Sequence, residues 1–224
     1  MKLGVLVSGR GSNLGAILAA ISDGTLSAQV ALVLSNKADA PALVRAKTAF
    51  LKTAVVSHRD YTSREAFDAQ LVTELCDAEV DYVVMAGFMR VVTPVFLTAF
   101  PNRVINIHPA LLPAFPGVDA QAQALAYGAR ITGCTVHFVD SGTDTGPIIA
   151  QAAVPVLEGD DHEALSARIL QREHELLVRV LTWIASGKVH VLAAPTSASR
   201  ARVIVPGERT FFGVVEEGCH ERGS

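Results

Sequence analysis

The sequence predicts an α/β fold: a doubly wound, mostly parallel twisted sheet with helices on both faces. Two observations carry that prediction. Short apolar runs alternate with segments of helical period from the first residues onward, and a β-α-β order of this kind builds a parallel sheet with crossover helices. Hydrophobic residues make up 50% of the chain and fall mostly in short runs, as in strands buried on both faces.

The elements follow in order. A strand at 3–7 runs into the glycine-rich turn 8–13 and a helix at 14–21. A second strand at 30–34 ends in Ser35-Asn36-Lys37, followed by a helix near 42–50 and a short strand at 53–56. Thr62-Ser63-Arg64-Glu65 opens a helix to about Asp77, and a buried strand occupies 80–86. Thr93-Pro94 starts a helix to about Phe100, with proline at the first helical position. A strand begins at Val104 and stops at Pro109. Two prolines mark 111–117 as a loop, and the helix at 119–127 is ended by Gly128. Strands at 132–139 and 147–156 flank the loop 140–146 and are candidates to run antiparallel to the rest. Asp160 begins a long helix to about Ile184, closed by Gly187. Short strands at 189–192 and 202–205 precede a tail from about Pro206.

Composition excludes several classes of function. The 224 residues suffice for one domain with a sizeable core. Charged residues, at 18%, are fewer than the roughly 25% of average domains. A net charge of -3 argues against a general nucleic-acid binder. Cys76, Cys134 and Cys219 lack metal or disulfide spacing, and the first two read as small core residues. The start is a first strand rather than a signal peptide, and no run approaches the roughly 18 apolar residues of a membrane span. The expectation is a cytoplasmic protein.

The chemistry centres on Asn106 and His108. Residues two apart in a strand point to one side, so both face one spot at the strand's carboxyl end. Asn106 is a neutral hydrogen-bond donor and His108 moves protons near neutral pH. Together they suit a developing oxyanion and its proton. Asp144, in D-S-G-T-D-T-G-P, can orient the imidazole and stabilise its protonated form. Taken singly, each also reads as a satisfied loop residue.

The loop Ser8-Gly9-Arg10-Gly11-Ser12-Asn13 leads into a helix whose free N–H groups suit a phosphate; the alternative is a turn needed only for geometry. It is a poor dinucleotide fingerprint, because Leu14 stands where the third glycine belongs and no acidic residue follows strand two. Beyond the strand at 80–86, Arg90 can hold a carboxylate and Met85-Ala86-Gly87-Phe88-Met89 can line a flat ring pocket; a solvated strand edge is equally open. His137 reads as a structural histidine, while His58, His162, His190 and His220 show no convergent partners. Glu173 and His174 read as a solvated helix face.

V-S-G-R-G-S-N-L, S-N-K-A-D-A, V-M-A-G-F-M-R, I-N-I-H-P-A-L-L-P, F-P-G, T-G-C-T-V-H-F-V-D, D-T-G-P-I-I-A-Q and Q-R-E-H occur in this order. With them the chain resembles the phosphoribosylglycinamide formyltransferases, the folate-dependent glycinamide ribonucleotide transformylases of purine biosynthesis, over roughly residues 1–192. The resemblance implies a Rossmann-like formyltransferase fold, with a catalytic domain at 1–193 and a C-terminal extension at 194–224. It implies transfer of a formyl group from 10-formyltetrahydrofolate to the amine of glycinamide ribonucleotide, without a metal. Asn106, His108 and Asp144 would be catalytic. Gly11, Ser12, Asn13 and Glu173 would bind the substrate. Arg64, Met89, Arg90, Val91, Val92, Asn106, Asp140, Ser141, Gly142, Thr143 and Asp144 would bind the folate. Partners would be these small molecules, with no nucleic acid or membrane, and the protein a monomer or homodimer.

The chain departs from the family at Leu170, where a polar or basic residue is common near the phosphate; Arg10, Arg172 or backbone groups are the candidate replacements. It departs again at Val118-Asp119-Ala120-Gln121, where histidines are common. A formyltetrahydrofolate deformylase shares the Asn/His/Asp set, and so does a methionyl-tRNA formyltransferase. The former typically carries an extra N-terminal domain and the latter a C-terminal RNA-binding domain. A nicotinamide-dependent oxidoreductase and a non-catalytic phospholigand-binding module are the readings from other classes.

Overall fold

The computed structural model describes residues 1–196 and 200–213. Its strands are β1 (Lys2–Val7), β2 (Gln29–Ser35), β3 (Thr53–Val55), β4 (Tyr82–Met85), β5 (Val104–His108), β6 (Ile131–Phe138), β7 (Ile148–Pro155), β8 (His190–Leu192), β9 (Arg202–Ile204) and β10 (Phe211–Phe212). Its helices are α1 (Ser12–Ser22), α2 (Pro41–Thr48), α3 (Arg64–Asp77), α4 (Pro94–Ala99), α5 (Ala120–Tyr127) and α6 (His162–Ala185), with a 3-10 turn at His58–Asp60.

Eight strands form one sheet in the order β10-β7-β6-β5-β4-β1-β2-β3. The chain winds outward from β1 through β2 to β3, then crosses back to β4 on the other side of β1. The carboxyl ends of β1 and β4 therefore flank the topological switch point, where open α/β sheets bind ligands. Only β6 runs against the rest: it pairs antiparallel with both β5 and β7, and β10 joins β7 in parallel. Of the two candidates, 132–139 opposes the sheet and 147–156 does not, since a hairpin built on β5 reverses direction twice.

Successive β1 side chains feed two cores. Leu3, Val5 and Val7 pack with Leu14 and Ile17 of α1, Leu43 of α2 and Leu165, Ile169 and Leu177 of α6. Leu6 points the other way, to Phe67, Leu71 and Leu75 of α3 and Phe96 of α4. Helices thus cover both faces, as the apolar runs demand.

Helix starts obey capping chemistry. Ser63 accepts from the Ala66 N–H, and Asp161 accepts from the Ala164 N–H. The long helix therefore starts later than Asp160, whose carboxylate is instead held by Arg168 at 2.7 and 2.9 Å and by the Leu157 N–H at 2.7 Å. Cys134 is buried but Cys76 is exposed. The stripe Phe67–Leu71–Leu75 fixes the buried side of α3, and the next residue turns about 100° away from it. Beyond Ala193, β9 pairs with β8 in a separate two-stranded sheet. Val205 is buried and β10 lies beside β7, with Arg179 of α6 4.5 Å from the Phe212 ring centroid. The strand β10 carried no signal in the sequence: two aromatic residues are too few for a period. Cys219 and His220 lie outside the described residues.

Candidate active site

Strand register sets the first part of the site. Leu6 of β1, Met85 of β4, Asn106 of β5 and His137 of β6 stand in one row across the sheet. Directly paired residues place their side chains on the same face, and Asn106 Nδ2 donates to His137 Nε2 at 3.2 Å. The opposite ring edge of His137 donates from Nδ1 to the Phe138 carbonyl at 2.8 Å. His137 is therefore a satisfied buried histidine, as its alternation suggested, and it also borders Asn106 and Asp144. What sequence reading lacked was the antiparallel register that makes it the neighbour of Asn106.

Two residues further along β5, His108 is 4% exposed. Its Nε2–H donates to the Phe115 carbonyl at 2.8 Å, and its Nδ1 faces Asp144 Oδ2 at 3.4 Å. Both ring nitrogens thus have an acceptor oxygen nearby. Asp144 completes the cluster: Oδ2 accepts from the Gly117 N–H at 2.8 Å, and Oδ1 lies 3.5 Å from Asn106 Nδ2 and 3.7 Å from His137 Nε2. Burial pushes the Asp144 carboxyl up. His137, the Gly117 N–H and the positive field of His108 outweigh it and hold the group below its ordinary value.

The loop 140–146 fixes that carboxylate. Asp140 Oδ1 accepts from the Gly142 N–H at 3.0 Å and from the Thr145 hydroxyl at 2.6 Å. Gly146 has no room for a side chain, since a Cβ there would lie 1.8 Å from the Phe138 carbonyl. Ser141 and Thr143 are exposed along its rim. On the other side, 109–117 carries the Phe115 carbonyl and the Gly117 N–H, and Thr135 of β6 anchors that run. The Thr135 hydroxyl donates to the Ala110 carbonyl at 2.6 Å and accepts from the Leu112 N–H at 3.0 Å. Sequence reading missed Thr135, which looked like one more strand residue.

The loop after β1 forms a second part. Gly11 caps α1 with φ of 70°, and a Cβ there would lie 2.5 Å from the Ala42 Cβ, so only glycine fits. Ser12 opens the helix. Asn13 is buried, its Nδ2 donating to Glu173 Oε2 at 3.0 Å while its Oδ1 is buried without a partner. Glu173 of α6 is 7% exposed, which overturns the solvated-face reading. The helical stripe through Leu165, Ile169, Leu176 and Val180 turns it inward. Burial pushes its carboxyl up to about 7, with Asn13 the only opposing influence. Of the cations weighed against Leu170, Arg172 is paired with Glu175 at 2.8 Å, and Arg10 is exposed.

The third part lies beyond β4. Ser8 ties it to β1: its hydroxyl accepts from the Met89 N–H at 3.0 Å and donates to Asn36 Oδ1 at 2.7 Å. Met89 and Val91 are exposed while Val92 is buried. Arg64, at the start of α3, donates to the Val91 carbonyl at 2.7 Å, and Arg90 lies 5.8 Å from the Phe67 ring centroid. The Val118–Gln121 departure also has a partner: Asp119 caps α5 and meets His162 Nε2 at 2.8 Å, so His162 does have a convergent carboxylate. Among the described residues no cluster of three or more His, Cys, Asp or Glu is arranged to hold a metal ion, and no helix is long and apolar enough to cross a membrane.

Residues 1–181 match the family model described as formyl transferase. A trifunctional purine biosynthetic protein adenosine-3 from Drosophila pseudoobscura pseudoobscura is 48% identical over 188 residues, covering 83% of this chain but only 14% of that protein. The chain thus spans a small part of these multidomain relatives. Phosphoribosylglycinamide formyltransferase of Escherichia coli (strain K12) is 43% identical over 196 residues, covering 87% of this chain and 92% of that one. Among solved structures, glycinamide ribonucleotide transformylase 1 from Symbiobacterium toebii superposes with a TM-score of 0.85 at 48% identity, covering 91% of this chain and 94% of that one.

Proposed function

The chain belongs to the formyl transferase family, and from that premise we propose that it transfers the formyl group of 10-formyltetrahydrofolate to the amine of glycinamide ribonucleotide. The products are N-formylglycinamide ribonucleotide and tetrahydrofolate, a step of purine (IMP) biosynthesis. Residues 1–193 form the catalytic domain and 194–224 its extension. The observation that carries the reading is the convergence of Asn106, His108 and Asp144 in one cluster at the carboxyl end of β5.

The roles follow from the contacts. The substrate amine attacks the formyl carbon, and the C=O π pair moves onto oxygen. Asn106 stabilises that oxyanion with Nδ2: one of its protons is held by His137, and the other makes only the long approach to Asp144. The protonated His108 adds positive charge from Nδ1. Asp144, held ionised, orients the attacking amine. As the bond between the formyl carbon and N10 breaks, its electron pair returns to N10, and the proton lost by the amine ends there. Gly11, Ser12 and Asn13 hold the phosphate through N–H groups at the start of α1. Glu173 and the open Asn13 Oδ1 receive sugar hydroxyls. Met89, Arg90, Val91 and Val92 wall the folate with Asp140, Ser141, Gly142 and Thr143, and Arg64 lies toward its glutamate end.

The test is turnover of 10-formyltetrahydrofolate followed by absorbance, with and without glycinamide ribonucleotide. Turnover only with the amine present is expected. Equal turnover without it makes the protein a deformylase, and none in either case overturns the enzymatic reading.

A further inference from the structure

Asp144 is held in a conformation that its own backbone disfavours. Its φ is 54°, and that of Phe115, at the other ring nitrogen of His108, is 53°. Residues other than glycine enter this left-handed region at a cost, and stay there when the surrounding contacts fix them. For Asp144 those contacts converge on the next residue, Thr145. The Thr145 hydroxyl donates to Asp140 Oδ1 at 2.6 Å, from within the loop. The Thr145 carbonyl accepts from Arg200 Nη1 at 3.1 Å, across 55 residues of chain. Gly142 packs on the same side chain, since a Cβ there would lie 2.0 Å from Thr145 Oγ1.

Arg200 is carried by well-anchored chain. It stands two residues before β9, which pairs with β8, the strand that follows α6. Past β9, Val205 is buried, Lys188 meets Glu208 at 2.6 Å, and the Gln151 N–H of β7 donates to the Thr210 carbonyl at 2.9 Å. Gln151 also reaches the other wall of the cluster: its Nε2 donates to the Leu112 carbonyl at 2.9 Å and to the Thr135 hydroxyl at 3.0 Å. The segment 200–213 follows the residues 1–181 that match the family model. It touches the 140–146 loop directly, and the 109–117 run through one side chain of β7.

We propose that Arg200 is a positioning residue for Asp144: by holding the Thr145 carbonyl it keeps the carboxylate within reach of the Gly117 N–H, Asn106 and His108. It acts through Thr145 and not on the reacting atoms. Its effect on rate rests on the formyl-transfer reading above; its hold on the loop does not. A guanidinium suits the task, because it is permanently charged and its bond to a carbonyl is charge-assisted. Arg200 is exposed, so water replaces it at the carbonyl when it is removed. Global stability therefore changes little, while the Thr145 backbone loses the one donor that reaches it from outside the loop.

The test compares the full chain with Arg200→Met, which keeps the stem and removes the donors, and with Arg200→Lys, which keeps a charged donor. Expected is a kcat about fivefold lower in Arg200→Met, the size of one hydrogen bond. The KM for glycinamide ribonucleotide stays put, and Arg200→Lys recovers part of the loss. An unchanged kcat, a loss confined to KM, or the same fall in both variants overturns the proposal and leaves formyl transfer intact. Amide hydrogen exchange reads the positioning without turnover. The Gly117 N–H donates to Asp144, and its exchange should quicken about fivefold in Arg200→Met while the β4 amides keep their rates. Quickening at Gly117 supports the positioning role even if formyl transfer fails. Unchanged exchange at Gly117, or equal quickening in β4, overturns it.

Discussion

Two carboxylates, the half-buried Asp144 and the buried Glu173, are driven in opposite directions. Burial raises both Asp144 and Glu173. Around Asp144 stand His137, the Gly117 N–H and His108, and they bring it below its ordinary value. Glu173 has one neutral donor, Asn13, and stays up at about 7. The difference has two sources: Glu173 is the more deeply buried of the pair, and Asp144 has the more hydrogen-bonding and charged partners. The consequence is a division of labour within one site. Asp144 remains an anion at neutral pH and can orient an amine, whereas Glu173 exchanges its proton near neutrality and can both donate to and accept from hydroxyl groups.

Removing the charge at Asp144 gives the largest effect. Asp144→Asn keeps the shape but loses the anion to which the proposed mechanism assigns the orientation of the amine, along with its ion-pair contact to His108. A fall in kcat of about 10²- to 10⁴-fold is expected, with unchanged circular dichroism. A loss under tenfold would make Asp144 a structural residue only.

The next effect is thermodynamic. Glu173 has a folded pKa of about 7 against an ordinary 4.5. Between those values the folded state binds more protons than the unfolded one, so stability falls as pH rises through that window. The penalty is absent below about pH 4.5 and complete above about pH 7, and it amounts to about 3 kcal/mol. Glu173→Gln removes the titration. Urea unfolding at pH 5, 6, 7 and 8 should show the wild type losing stability relative to the variant, and parallel curves would mean that Glu173 does not titrate there.

The same contrast marks how far the sequence could be read. Asn106, His108 and Asp144 were legible because a strand's period of two and a proline stop place two of them together. The glycine loop was legible from its turn chemistry. Glu173 was not, because Q-R-E-H-E is equally compatible with a solvated face and only the phase of the whole α6 stripe turns residue 173 inward. Its role came from resemblance. His137 and Thr135 depend on the register of an antiparallel hairpin, which is set by long-range pairing and leaves no local pattern. The doubly wound sheet was read correctly except for the direction of β7 and the existence of β10, both fixed by tertiary pairing.

Thr135 offers the smallest effect and the sharpest separation of the two carboxylates. Its hydroxyl bonds the Ala110 carbonyl and the Leu112 N–H, and it also receives Gln151 Nε2 at 3.0 Å. Thr135→Val strands these groups in a buried setting, at a cost of about 2 kcal/mol. The freed run is the one that brings Gly117 to Asp144 and Phe115 to His108. Its hydrogen bonds do not reach Glu173, which accepts from Asn13. The variant should therefore lower both stability and kcat while leaving the pH 4.5–7 stability slope unchanged. A changed slope would join the two carboxylates into one coupled unit, and an unchanged kcat would show that Asp144 and His108 are positioned from the 140–146 side alone.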